Sequence, residues 1–328
     1  MYPSKINTGR PGVRPLQGNT MLKKRIALLI ALCLCLTACA PDTPAASDQD
    51  VRVVASFYPL YIAALNVVGD TPGVALSMMA PPDTGCLHDY QLRPQDMAAL
   101  ERCDLFILNG GGLESFLDDV LDKHPKLPLC TASAGVTFVP YEEGASHDEH
   151  DHDEHDHQDG DNPHAWVSVR LFIHYVENIR DGLIQADPAH KDAYERNAGR
   201  YIETLKALDA DMRGALSDLP HGDIVTFHDA FSYFAAEFDL HVAAVIQREP
   251  GQDPSPSELA DTIDIVRASG AAALFTEPQY KPAAAETIAR ETGVAVYTLD
   301  PAVTGELKAD AYETAMRKNT QTLVEALS

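Results

Sequence analysis

The sequence predicts an α/β protein of two lobes with mainly parallel sheets, joined by one long connecting helix. Three observations carry this. Short apolar runs of strand length alternate with amphipathic helical stretches. The alternation passes through four strands, pauses, and passes through four more. The pause holds one long stretch whose apolar residues recur at helical spacing.

In the first run the expected strands are Arg52–Phe57, Val74–Met79, Asp104–Leu108 and Leu127–Thr131, with helices at Leu60–Val68, Pro94–Arg102 and Leu113–Lys123. Asn109-Gly-Gly-Gly112 follows a strand but has no Lys-Ser/Thr at phosphate-loop spacing, so it reads as a tight turn into a helix. A further helix is expected from about Val167 to Gln185. Between Pro188 and Leu219, Tyr194, Tyr201, Leu205, Leu208, Met212 and Leu216 share a helical face. About 30 residues at 1.5 Å each span about 45 Å, enough to run the length of two lobes; two shorter helices with a kink near Gly214 are the alternative. In the second run the strands are Asp223–Phe227, Val242–Ile246, Ala272–Thr276 and Val294–Leu299, and the helices Phe231–Phe238, Pro256–Ala268, Ala283–Thr292 and Ala309–Ala326. Ser255-Pro256-Ser257-Glu258 supplies a Ser cap, a Pro in the first turn and a capping-box Glu. The expected divisions are an N-terminal lobe over 51–186 with a His/Asp-rich loop at 142–163, a connecting helix over 187–219, and a C-terminal lobe over 220–328.

Lys23, Lys24 and Arg25 precede an apolar stretch, Ile26 to Leu36, too short to span a bilayer. Leu36-Thr37-Ala38-Cys39 looks like a bacterial lipobox. The expectation is a signal peptide over 1–38, with Met21 a candidate true start, then lipidation of Cys39 and a Pro-rich tether over 39–50. The chain would then be a cell-membrane lipoprotein facing the extracytoplasmic side, anchored rather than spanning.

The net charge is −24, and residues 1–38 carry six basic and no acidic residues, so the remainder carries −30. That excludes nucleic acid, which needs a basic footprint, and suits cations. Of the six Cys, Cys33 and Cys35 leave with the signal and Cys39 takes lipid. Cys86, Cys103 and Cys130 allow at most one disulfide, with no pair preferred.

From His147 to His157 every residue is His, Asp or Glu. Such a run stays solvated, and imidazole flanked by carboxylate binds borderline divalent metals. His147, His150, His152, His155 and His157 are therefore candidate low-affinity metal ligands. They are too repetitive to fix one coordination geometry, and a solvated acidic loop with no metal role is the bland reading.

Ligands of open α/β sheets bind beyond the carboxyl ends of the strands. There the sequence places His228 after Asp223–Phe227, Glu277 after Ala272–Thr276 and Asp300 after Val294–Leu299. In the first lobe His88 follows the turn-rich 80–87, and His164 opens a helix after the acidic tract. Strand ends facing one interlobe cleft would bring these groups to one ion.

Five ordered segments carry a resemblance: Gly85-Cys-Leu-His88-Asp-Tyr-Gln-Leu-Arg-Pro94-Gln-Asp96, Cys103-Asp-Leu-Phe-Ile-Leu-Asn-Gly110, Asn162-Pro-His164-Ala-Trp166, Thr226-Phe-His228-Asp-Ala-Phe-Ser-Tyr233-Phe and Tyr297-Thr-Leu-Asp300-Pro. The chain resembles the metal-binding solute receptors of bacterial ABC importers, and within them the zinc branch. The resemblance implies two lobes, a long helix, and metal in the cleft on His88, His164, His228 and Asp300, with Glu277 a second candidate for the fourth place. Asp229, Trp166 and Tyr233 are candidates to orient the imidazoles, or simply to pack. Cys86 departs from the family pattern and is expected to face away.

Three imidazoles and a carboxylate suit Zn2+, whereas manganese-type sites want more oxygen. The expected function is capture of Zn2+ as a monomer and delivery to a permease driven by a separate ATPase. A manganese- or iron-type receptor (Mn2+ or another divalent metal), a zinc-dependent hydrolase, and an adhesin or metal buffer built on the tract are the alternatives. No HExxH pair is present, and a four-ligand shell leaves no place for a catalytic water.

Overall fold

A computed structural model describes residues 50–88, 90–141, 161–219, 222–246, 255–279 and 283–328. The signal segment, Cys39 and the tract His147–His157 lie outside the described residues.

The strands are β1 (Val51–Ala55), β2 (Val74–Met78), β3 (Leu105–Leu108), β4 (Leu129–Thr131), β5 (Asp223–Thr226), β6 (His241–Val245), β7 (Ala273–Thr276) and β8 (Ala295–Thr298). They form two four-stranded sheets, β2-β1-β3-β4 and β6-β5-β7-β8. Every ladder is parallel. The second sheet repeats the strand order of the first, so each half has a crevice where the order reverses, between its first and third strands. Parallel strands covered on both faces must be apolar throughout, and Leu105, Phe106 and Ile107 of β3 and Ala273, Leu274 and Phe275 of β7 are all buried.

The helices are α1 (Tyr58–Val68), α2 (Pro94–Leu100), α3 (Asp118–Lys123), α4 (Val169–Ala186), α5 (Lys191–Leu216), α6 (Ser232–Glu237), α7 (Pro256–Ser269), α8 (Ala283–Thr292) and α9 (Ala311–Leu327). The expected long helix is α5, 26 residues unbroken through Gly199 and Gly214. It starts at Lys191 because Pro188–His190 form a 3-10 turn. Its buried residues include Tyr194, Tyr201, Leu205, Leu208, Met212 and Leu216, the face read from the sequence. It packs against α4, α1 and α9. The capping box at Ser255 and Glu258 forms as expected.

The expected helix Leu113–Lys123 instead splits into a 3-10 turn, Ser115–Leu117, and the short α3. The cause is Glu114. Its buried carboxylate accepts from Asn109 N (2.7 Å), Gly110 N (3.1 Å) and Ser56 Oγ (2.8 Å), and so holds the turn after β3 rather than starting a helix. Gly110 and Gly111 have φ of +85° and +64°. A Cβ on either would come within 2.7 Å of Thr131 or Phe138, so glycine is required for both conformation and space.

The two halves are stitched by the C-terminal helix. Tyr312 of α9 stacks on Phe172 of α4 at 3.9 Å between ring centroids, and its hydroxyl donates to Trp166 O at 2.8 Å. Tyr58 Oη donates to Glu306 O (2.7 Å) and Trp166 Nε1 to Pro301 O (2.9 Å). Among the described residues no helix is long and apolar enough to cross a membrane.

Candidate metal centre

His88 lies in the crossing from β2 to α2. Tyr90 N donates to Leu87 O (2.9 Å), Tyr90 Oη to Asp96 Oδ2 (2.7 Å) and Arg93 Nη2 to Met79 O (2.9 Å). The crossing is therefore pinned from both flanks. Leu87 is fully buried, while its neighbours Cys86 and His88 are only partly so. His164 immediately precedes the 3-10 turn Ala165–Val167 that leads into α4. His228 follows β5, at the reversal point of the second sheet. Both His164 and His228 are buried.

These residues, about 140 positions apart at the extremes, meet. Nε2 of His164 lies 3.2 Å from Nε2 of His88, 3.0 Å from Nε2 of His228 and 3.2 Å from Sγ of Cys86. Hydrogen bonding alone does not account for this. Nδ1 of His164 is 2.8 Å from Oδ1 of Asn162, an acceptor, so Nδ1 carries the proton and Nε2 keeps a single lone pair. One lone pair accepts one hydrogen bond, yet three groups crowd it. A cation in their midst would take one lone pair from each. The ligand atoms of Cys86, His88, His164 and His228 all lie within 4.8 Å of one another. Burial, with His228 and His88 alongside, pushes His164 well below its usual pKa, keeping it neutral and ready to ligate.

One sequence expectation changes here. Cys86 does not face away, because the turn that buries Leu87 brings its sulfur to the imidazoles. Asp300 and Glu277 are not members of the four-residue group. Asp300 Oδ1 accepts from Ala302 N at 2.8 Å, supporting a turn in which Ala302 has φ +57°. That turn presents Pro301 O to Trp166. Glu277 is buried, and its Oε2 accepts from Gln279 Nε2. Burial and the nearby Asp300 hold Glu277 well above the usual carboxylate range.

Trp166 packs beside His164, and Asp229 and Tyr233 hold Asn162 behind it; none of the three joins the group. Asn162 Nδ2 donates to Asp229 O (2.9 Å) and Oδ1 (3.1 Å), and Ser232 Oγ donates to the same Oδ1. Tyr233 Oη donates to Asn162 O (2.6 Å) and accepts from Val139 N (3.0 Å). The Trp166 ring is 5.0 Å from that of His164 and 5.0 Å from Phe57. Asn162 is the residue the sequence reading passed over. Its signal was available: an Asn two residues before a His is placed to bond the backbone N–H two positions on, and Oδ1 does accept from His164 N at 3.0 Å. Pro163 O in turn accepts from Asn109 Nδ2 at 3.1 Å, which ties the segment to the glycine turn after β3.

Two like parallel sheets and a long helix, with three imidazoles and a thiol drawn together, make a two-lobed α/β protein with a candidate divalent-metal site. The family model for zinc-uptake complex component A, periplasmic, matches residues 53–326, and the chain belongs to that family. It is 32% identical to the iron-binding protein YfeA of Yersinia pestis over 258 residues, 78% of each chain. It is 33% identical to the zinc-binding lipoprotein AdcA of Streptococcus pneumoniae over 282 residues, 85% of this chain but 55% of AdcA. The chain thus spans about half the length of that relative. Among solved structures it is similar to FpvC of Pseudomonas aeruginosa in complex with Mn2+, with TM-score 0.72 and 31% identity, covering 85% of this chain and 98% of FpvC. It is also similar to a ZnuA lacking residues 138–173 with zinc bound, with TM-score 0.70 and 27% identity, covering 85% and 98%.

Proposed function

We propose that this chain is an extracytoplasmic receptor that captures Zn2+ on His88, His164 and His228 and delivers it to an ABC permease driven by a separate ATPase. The observation that carries the reading is the meeting of three Nε2 atoms at 3.0 Å and 3.2 Å around His164. Neutral imidazoles in a buried, partly apolar setting favour zinc over oxygen-seeking manganese. The family's periplasmic description and AdcA's zinc-binding name support it. Cys39 would carry the lipid that holds the receptor at the membrane, with the mature protein a monomer.

The acidic tract is an accessory collector in this reading. The described residues that flank it are drawn together: Pro140 bridges Asp161, and the Tyr141 ring lies 6.5 Å from that of His164. Metal captured by His147, His150, His152, His155 or His157 would be passed on to the three histidines. A manganese- or iron-type receptor is the second reading, supported by the likeness to YfeA and to manganese-bound FpvC.

Metal stoichiometry in the full chain and in a variant lacking residues 147–157 tests the proposal. The expected result is one tightly held zinc per chain in both, lost in His228→Ala. Loss of all tight binding with the tract would leave a metal buffer. Displacement of zinc by equimolar manganese would favour the second reading.

A further inference from the structure

We propose that Cys86 is the fourth metal ligand, so that the loaded receptor holds its cargo in a shell of one thiolate and three imidazoles, and that this sulfur sets which metals the site prefers. The inference rests on the metal-receptor reading and specifies its ligand chemistry.

The geometry comes first. Four ligands at Zn–N of about 2.0–2.1 Å and Zn–S of about 2.3 Å in a tetrahedron stand roughly 3.3 Å apart for N···N and roughly 3.6 Å for N···S. The separations from His164 Nε2 are 3.0 Å to His228, 3.2 Å to His88 and 3.2 Å to the sulfur of Cys86. The three separations from His164 are therefore within about 0.4 Å of tetrahedral edges, and the four ligand atoms all lie within 4.8 Å of one another. No carboxylate stands in that set. Asp300 Oδ1 supports the turn at Ala302, and Glu277 is met by Gln279 at Oε2 while its Oε1 has no hydrogen-bond partner among the described residues; both lie outside the group.

The local chain explains why a cysteine reaches the site. Leu87 is fully buried, and Cys86 and His88, one residue to either side, both reach His164 Nε2. The turn arrives through Gly85, whose φ is +83°, a conformation costly for other residues. A residue two before the first His is thus brought to His164 Nε2 by the same turn that brings the His.

The chemistry follows. Cysteine ligates as thiolate, so on binding the thiol proton is released to solvent and an S–metal bond replaces the S–H bond. A soft thiolate favours zinc, cobalt and nickel, and disfavours manganese, which seeks oxygen. Cys103 and Cys130 do not compete: burial pushes their thiols up to about 11 and about 12, and their sulfurs donate to Leu100 O and Asn178 O.

Cobalt(II) is the probe. In the full chain loaded with one equivalent of Co2+, a thiolate-to-cobalt charge-transfer band is expected in the near ultraviolet. It should vanish in Cys86→Ser and persist in Cys103→Ser. Zinc-against-manganese competition on the same proteins should show Cys86→Ser losing about tenfold or more of its preference for zinc. A wild-type protein that binds one Co2+ without the band, or a serine variant with unchanged metal preference, overturns the proposal. So does loss of zinc affinity in Glu277→Gln but not in Cys86→Ser, which would make the carboxylate the fourth ligand. If Cys86→Ser does not fold, the wild-type spectrum alone decides. Failure of the receptor reading looks different: no tight metal binding that depends on His228 in any of these proteins.

Discussion

His164 Nδ1 donates to Asn162 Oδ1 at 2.8 Å. The amide orientation is fixed by what lies behind it, because Asn162 Nδ2 faces two acceptors, Asp229 O and Oδ1. This single bond fixes the tautomer of the central imidazole and turns its Nε2 lone pair toward His88, His228 and Cys86. Asn162→Leu removes that constraint while keeping comparable bulk. Zinc affinity is expected to fall about 10–100-fold, the usual cost of losing a partner behind a ligand. Titration against a competing chelator measures this, and unchanged affinity would contradict it.

Tyr233 joins the two ends of the segment that brackets the acidic tract. Its hydroxyl donates to Asn162 O and accepts from Val139 N. Tyr233→Phe keeps the ring and removes both bonds. The expected cost is about 1–3 kcal/mol of unfolding free energy, since buried polar groups lose their partner. Denaturant unfolding of the metal-free protein reads it. A loss near zero would show that the hydroxyl does not hold the segment.

The pH dependence of stability has a marked contributor at Glu237. Burial, with Asp209 nearby, pushes its carboxyl up to about 7 against the lowering pull of Ser168 and Arg213. Between the ordinary carboxylate value of 4.5 and about 7 the folded chain keeps a proton that the unfolded chain has lost. The contribution of Glu237 is therefore fully present below that window and falls away as pH rises through about 7. Comparing Glu237→Gln with the wild type at pH 5 and pH 8, metal-free, isolates it. The variant should show a smaller loss from pH 5 to pH 8. An identical loss in both proteins would place the titration elsewhere.

Much of the architecture was legible because parallel α/β proteins write their elements as separate patterns. The face of α5 is one case, and the capping box at Ser255 another. Where the reading slipped, a side chain served the tertiary fold instead of its own segment. Glu114 holds the turn after β3, so a helix expected from Leu113 is interrupted. Of the three histidines, spacing alone placed only His228 directly after a strand; His88 and His164 reach it through the crossing after β2 and the turn before α4. His88, His164 and His228 meet. Spacing left the fourth position open. Asp300 has the expected place after β8 but stands outside the four-residue group, with Oδ1 accepting from Ala302 N. Cys86 looked incidental because its direction depends on how Leu87 packs, which spacing does not reveal. Asn162 went unnoticed because the bond that matters runs from its own side chain to a neighbour two residues away.

The central claim is that tight metal capture is made by histidines from both halves of the chain, not by the acidic tract. Diffraction at the zinc absorption edge from the zinc-loaded protein tests it most directly. The account predicts one strong anomalous peak bounded by Nε2 of His88, His164 and His228. A structure in which zinc sits on the tract alone, with those three imidazoles bound to no metal, would contradict it.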